Sequence, residues 1–171
     1  MACIEPVLAT MNIKLVNTMR MPSKRAIVGY ILCISGHMKI ISWNIGGLGS
    51  RKERMVLKGF VYYETPNIVM LQETKKETCD RRFVGSVWKV RNKEQAILPA
   101  CGALGGVVII WGSNKFSCSE LVLGSFSITI RSVSNEEGIF WLNLVYGPNN
   151  SNLRKDFWMK LQDLFGLMFS K

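Results

Sequence analysis

Hydrophobic and polar residues alternate along this chain in two rhythms, and the change between them divides it. Lys39-Ile40-Ile41-Ser42-Trp43-Asn44-Ile45 reads as a strand that stops at Gly46-Gly47, a pair suited to a turn or a close backbone approach. Ser50 then opens a helix, with Glu53 three residues on in the capping-box pattern,. Val56, Phe60 and Tyr63 give that helix an apolar stripe, and Arg51, Lys52, Arg54 and Lys58 stay outside it,. Pro66-Asn67 ends it. Ile68-Val69-Met70-Leu71 follows as an unbroken apolar run, the mark of a strand buried on both faces,. Residues 38–74 therefore predict strand, helix, strand, a parallel crossover.

The rhythm then shortens to two. Phe83 to Arg91, Gly105 to Trp111, Ser119 to Leu123, Phe126 to Val133 and Ile139 to Tyr146 read as strands. Gly112-Ser113-Asn114, Gly124-Ser125 and Asn135-Glu136-Glu137-Gly138 read as the turns between them,. Such short connections imply antiparallel pairing. Asn150 or Ser151 can cap a last helix whose stripe is Leu153, Phe157, Leu161, Leu164/Phe165 and Met168. Trp141, Tyr146, Phe157, Trp158 and Phe165 fall at core spacings. Residues 1–37 show no clean period and are expected to form a loosely ordered extension with at most one short element, Ala26 to Ile34. The organisation expected is an extension over 1–37 and a folded portion over 38–171.

Composition narrows the function. The chain has 171 residues, 48% of them hydrophobic, enough for a core and against wholesale disorder,. No apolar run approaches the roughly 20 residues of a spanning helix. Five cysteines with no C-x-x-C pair exclude a zinc finger, and their odd number, without a signal peptide, favours a reducing compartment inside the cell,. Cys101 and Cys118 are expected to be buried free thiols. No compact basic signal decides between nucleus and cytoplasm. The net charge is +10, and residues 38–95 hold most of the surplus, twelve basic residues against six acidic. A basic domain attracts polyanions, most commonly nucleic acid.

Three segments place a polar group where an apolar strand stops: Asn44 after Trp43, Glu73 after Leu71-Gln72, and Tyr146 before Gly147-Pro148-Asn149. Strand ends are where open α/β sheets build sites. An asparagine amide can hold a phosphate or water, a glutamate a hard cation, and a tyrosine hydroxyl can donate to a phosphoryl oxygen. Each also has a structural use: Asn44 as a turn cap, Glu73 as a surface charge beside Lys75 and Lys76, Tyr146 as core.

On these residues the chain resembles the endonuclease/exonuclease/phosphatase family of Mg²⁺-dependent phosphodiesterases, which includes abasic-site and retrotransposon endonucleases. The motifs are Ile41-Ser42-Trp43-Asn44-Ile45-Gly46-Gly47-Leu48, Ile68 to Lys75 and Tyr146-Gly147-Pro148-Asn149. Gly105 to Trp111 and Arg154 to Leu161 look like landmarks of the endonuclease domain of plant LINE-type (non-LTR) retrotransposons. The resemblance implies an α/β (α+β) four-layer sandwich, truncated to roughly its first half. It implies Glu73 as the Mg²⁺ ligand, Asn44 and Tyr146 as active-site residues, Asn149 as a phosphate contact and DNA as partner. Arg51, Lys52, Lys75 and Lys76, with Arg54, Arg81 and Arg82, are the candidate nucleic-acid contacts.

The departures limit the activity expected. The family's Gly-Asp-x-Asn motif, its late Asp and its terminal Asp-His pair have no counterpart. The three aspartates, Asp80, Asp156 and Asp163, sit in other settings, and the single histidine, His37, precedes the first motif. One carboxylate binds Mg²⁺ weakly, and losing general acid–base help costs about 10²–10⁴-fold in rate. The sequence thus predicts an inactive endonuclease portion, with a nucleic-acid-binding remnant or a phosphatase fragment as alternatives. It also predicts poor independent folding, since the missing half would supply the second sheet. The first motif strand starts at Met38, so a product beginning there is expected to fold as well as the full chain.

Overall fold

The computed structural model describes residues 13–20, 28–34, 38–101, 105–136, 138–148 and 151–169. Among them, β1 (Ile13–Arg20), β2 (Val28–Ile34), β3 (Met38–Asn44), β4 (Ile68–Gln72), β5 (Lys93–Leu98) and β6 (Val107–Gly112) form a six-stranded sheet in the order β1-β2-β3-β4-β6-β5. β7 (Phe116–Leu123), β8 (Ser127–Ser134) and β9 (Gly138–Val145) form a three-stranded sheet. Helices α1 (Arg51–Glu64), α2 (Arg81–Val87) and α3 (Arg154–Phe169) complete the fold, α3 entered through a 3₁₀ turn at Ser151–Leu153.

The predicted crossover is present: β3 pairs parallel with β4, from Ile40 opposite Ile68 to Asn44 opposite Gln72. Ser50 caps α1 and Glu53 completes the capping box. At the far end Lys39 binds Glu64, Nζ to Oε2 at 3.3 Å and to the backbone oxygen at 2.9 Å. Asn67 brackets Lys39 from the next turn, its Oδ1 accepting from Lys39 N at 2.7 Å and its own N donating to Lys39 O at 2.8 Å.

Strand parity divides the core. Ile41 and Trp43, Val69 and Leu71, and Val108 and Ile110 face Leu57 and Val61 of α1 and Val84 and Val87 of α2. Met38, Ile40, Ile68, Met70, Ile109 and Trp111 face the second sheet, meeting Phe116, Ile128, Ile130 and Leu144. This double burial is why Ile68–Leu71 and Val107–Trp111 read as continuous apolar runs. α3 packs beside the second sheet, where Phe157 meets Phe126 edge to face at 5.7 Å. The result is an α/β sandwich with helices and two facing sheets, as expected.

Several expectations change. Phe83 to Arg91 is not a strand: Asp80 accepts from Phe83 N at 2.7 Å and starts α2. Phe83, Val84, Val87 and Trp88 suit either period, and the cap decides. β5 lies in a stretch where the sequence predicts no strand. The α1 stripe is rotated, with Leu57 and Val61 buried and Tyr63 82% exposed. Trp158 is 61% exposed, because its neighbour Phe157 takes the place against the sheet. The inner face of the first sheet, expected to lack a cover, is closed by β7–β9 of this same chain. Two strands occur within the stretch expected to be loosely ordered: β1 pairs antiparallel with β2, and β2 with β3. Ile31 is buried in the helix-side core, and the Trp43 ring lies where a Cβ on Gly29 would come within 3.2 Å.

Among the cysteines, Cys101 is exposed rather than buried and Cys118 is half-buried. Cys79 is buried, and desolvation pushes its thiol up to about 11. Thiolate is the reactive form, so at pH 8 iodoacetamide is expected to label Cys101 in the folded protein and Cys79 only after unfolding. Peptide mapping checks this. Ile130→Ala, at the contact between sheets, is expected to lower unfolding free energy by about 2–5 kcal/mol in urea titrations. Val133→Ala, on the exposed side of the same strand, should change it by less than about 0.5 kcal/mol.

Candidate active site

Three strand ends and one loop converge at one end of the sandwich. β3 ends at Asn44, whose Oδ1 accepts from Gly46 N at 3.2 Å, so the turn-capping use foreseen for Asn44 is real. Its amide NH₂ remains the donor available to a ligand. Gly46 (φ 61) and Gly47 (φ 128) both occupy the left-handed half of backbone space, as their sequence predicted,. Ile45 N donates to Gln72 O at 3.0 Å and Leu48 N to Thr74 O at 3.1 Å, tying this turn to the end of β4.

The end of β4 is bent sharply. Glu73 (φ 55) and Lys75 (φ 53) are non-glycine residues in the left-handed region, with buried Thr74 between them. Strain of this kind costs about 1–3 kcal/mol per residue and persists where surrounding structure enforces it. Here the enforcing element is the chain at Gly105-Gly106: Thr74 N donates to Gly106 O at 3.1 Å and Lys75 N to Gly105 O at 2.7 Å. A side chain would be crowded at Gly105 and would clash at Gly106. A Cβ on Gly105 would lie 3.1 Å from Glu73 Cα, and one on Gly106 (φ 74) 2.7 Å from Thr74 Oγ1 and 2.9 Å from Ala100 N.

Two hydrogen bonds then join the sheets at this end. Tyr146 donates its hydroxyl to Glu73 Oε1 at 2.5 Å, and Gln72 Nε2 donates to Val145 O at 3.4 Å. Tyr146 N is in turn held by Phe126 O at 2.9 Å. The structure thus brings Glu73 and Tyr146 into contact, though they lie 73 residues apart in sequence. Asn44 reaches the same end through its register opposite Gln72. Asn149 and His37 lie outside the described residues.

Positive charge lies nearby. Arg51 and Lys52 are exposed on the first turn of α1, Lys75 is exposed in the bend after Glu73, and Lys76 is half-buried with Nζ 5.9 Å from the Phe83 ring centre. Hydrogen bonds from Ser50 hold the Glu53 carboxyl below its ordinary value, helped by the charges of Arg54 and Lys75. Arg54 Nη1 is committed to the backbone, at 3.0 Å from Leu48 O and 2.9 Å from Gly49 O.

The donor set for a cation is small. Among the described residues no group of three or more His, Cys, Asp or Glu side chains could hold a metal. Glu73 stands as a single carboxylate beside the Tyr146 hydroxyl. Mg²⁺ is held in many sites by one or two carboxylates together with substrate phosphates and water. The residues present fit that minimal arrangement and no all-protein cage. Asp80 caps α2, and Asp156 and Asp163 belong to α3.

What the sequence left unread is the support. Gly105-Gly106 stood out as a paired glycine before an apolar strand, and its use in backing Glu73 emerges only from the packing of β4 against β6.

An architecture of this kind occurs in a nuclease. The crystal structure of the AP endonuclease LMAP from Leishmania major superposes with a TM-score of 0.51 and 18% sequence identity, covering 89% of this chain and 54% of that one. The chain therefore spans about half the length of that protein. The chain shares the mixed α/β fold of that structure over the matched residues. No family model matches the chain, and no curated protein does. Among the described residues no helix is long and apolar enough to cross a membrane.

Two glycine substitutions should act with opposite sign. Gly106→Ala introduces both a clash and a disfavoured φ, and is expected to lower stability by about 1–3 kcal/mol. Gly59→Ala, inside α1 with nothing within 4 Å of the added methyl, should raise it by about 0.5–1 kcal/mol. Urea denaturation followed by tryptophan fluorescence reads both.

Proposed function

We propose that this chain is the cation- and phosphate-holding portion of a Mg²⁺-dependent DNA phosphodiesterase of the retrotransposon-endonuclease type. The observation that carries the reading is the Tyr146–Glu73 hydrogen bond at 2.5 Å, which joins two separate sequence motifs at one end of the sandwich. The likeness in fold to an AP endonuclease supports it, and so does the exposed positive charge of Lys75, two residues after Glu73, and of Arg51 and Lys52 on the first turn of α1.

Each residue then has a role. Glu73 supplies the carboxylate for the cation. When cation and phosphate bind, Tyr146 turns its single hydroxyl hydrogen from Glu73 Oε1 to a non-bridging phosphate oxygen, and the Asn44 amide donates to the same group. Lys75 holds the adjoining backbone phosphate and Asn149 follows Tyr146 in the same segment. Bound Mg²⁺ would supply charge stabilisation at the phosphoryl oxygens. Hydrolysis also requires a base for the attacking water and an acid for the leaving oxygen. The aspartates of the described residues are placed elsewhere in the fold, so in this reading the chain engages cation and phosphate without completing the reaction.

Two measurements test this. Calorimetric titration with Mg²⁺ in the presence of a short duplex should show weak binding that falls at least tenfold in Glu73→Gln. Supercoiled plasmid should remain intact with Mg²⁺, as it does with EDTA. Cation binding indifferent to Glu73→Gln would remove the proposed ligand. Mg²⁺-dependent nicking that disappears in Glu73→Ala would show that the chain completes the reaction after all.

A further inference from the structure

We infer that the solvent face of α1 is a binding track for single-stranded nucleic acid, leading away from the Glu73–Tyr146 pair. The inference rests on the nucleic-acid reading above and adds to it the form of substrate that this surface engages.

An exposed helix face ordinarily mixes charges of both signs and few large apolar groups. α1 departs from that. Tyr62 is 83% exposed, Tyr63 82% and Met55 62%, on the side away from buried Leu57 and Val61. Arg51, Met55, Lys58 and Tyr62 follow one another at spacings of three and four, so they form a single line along the helix. All are exposed. The two acids of the helix are engaged elsewhere, Glu53 in the capping box and Glu64 with Lys39. The face therefore carries three cations, Arg51, Lys52 and Lys58, with no anion among them. No salt bridge occupies these cations among the described residues.

Interleaved cations and exposed aromatic rings are what a flexible polyanion with flat bases requires. The cations follow the phosphates, and the rings accept stacked bases. Duplex DNA offers its phosphates but keeps its bases stacked inside, so it could use the cations and not the tyrosines. The track starts at the site: Arg51 follows the Gly47–Ser50 loop, where Leu48 is bonded to Thr74, next to Glu73. Tyr62 lies about 16 Å further along, at 1.5 Å per residue. Charge disfavours a second copy of this chain as occupant, since the pairing of two such faces sets cation against cation. A lipid surface would favour a continuous apolar stripe, and here Lys58 and Gly59 interrupt it.

The test is fluorescence anisotropy with the full chain, a fluorescein-labelled 20-nucleotide oligothymidylate and a 20-base-pair duplex, over a range of salt. Tyr62→Ala/Tyr63→Ala should bind the single strand at least tenfold more weakly, with duplex affinity and the dependence on salt unchanged. Arg51→Ala/Lys52→Ala/Lys58→Ala should weaken both ligands and flatten the dependence on salt. Photocrosslinking of 5-iodouracil oligonucleotide to the unaltered protein should label Tyr62 or Tyr63, whatever the folding of the variants. Single-strand binding unaffected by the tyrosine pair, with crosslinks elsewhere, would overturn the track and leave the function standing. Failure of the unaltered chain to bind either nucleic acid would overturn both. Tyrosine-dependent binding to phosphatidylserine vesicles without oligonucleotide binding, or a dimer dissolved by the tyrosine variant, would reassign the face to a membrane or to a second copy.

Discussion

The strands β3, β4 and β6 are covered on both sides, by α1 and α2 on one face and by the second sheet on the other. A strand so enclosed cannot slip by one residue, since the slip would exchange the occupants of two differently shaped cores. That constraint fixes where each strand ends, and the candidate site consists of strand ends. Asn44 and Gln72 stand opposite one another because Ile40 and Ile68 do four residues earlier. Gly106 meets Thr74 because Val107 pairs with Gln72. The polar groups at the end of the sandwich thus inherit their positions from apolar packing behind them.

Strain at Glu73 follows from the same packing. The left-handed turn there would relax in an isolated peptide, but two backbone hydrogen bonds to Gly105 and Gly106 hold it. The bend presents the carboxylate to Tyr146 from the second sheet instead of letting β4 run on. Local cost and site geometry are therefore one arrangement, with stability drawn from Val107–Trp111 and expressed at Glu73.

The parts of this arrangement that rest on local chemistry were legible in the sequence. Ser50 with Glu53, the Ile68–Leu71 run and Gly46-Gly47 each carry a near-neighbour signal, and the structure agrees with each; β8 is a strand as expected, but Ser127 and Thr129 are buried along with Ile128 and Ile130. The parts set by distant partners were not. α2 could be read as a strand because Phe83, Val84, Val87 and Trp88 fit both periods, and only the Asp80 cap separates them. β5 contains Lys93, Glu94 and Gln95, and an edge strand with so polar a start has little periodic signature. In α1, Tyr63 is apolar enough to suggest a core position and is in fact exposed, while Leu57 and Val61 are buried. For the site, residue types at Asn44, Glu73 and Tyr146 pointed to the chemistry, but the Tyr146–Glu73 contact is tertiary.

That contact also bears on how the site comes into being. Glu73 and Tyr146 are 73 positions apart, and closing so long a segment is entropically costly until other contacts have drawn its ends together. The crossover β3-α1-β4 and the hairpins β7-β8-β9 can each begin from near neighbours, whereas the Tyr146–Glu73 bond waits for one to dock on the other. The site is then among the last features acquired on folding and among the first surrendered when the sheets separate. A partly folded chain would keep its helices and hairpins and still lack an assembled carboxylate–phenol pair.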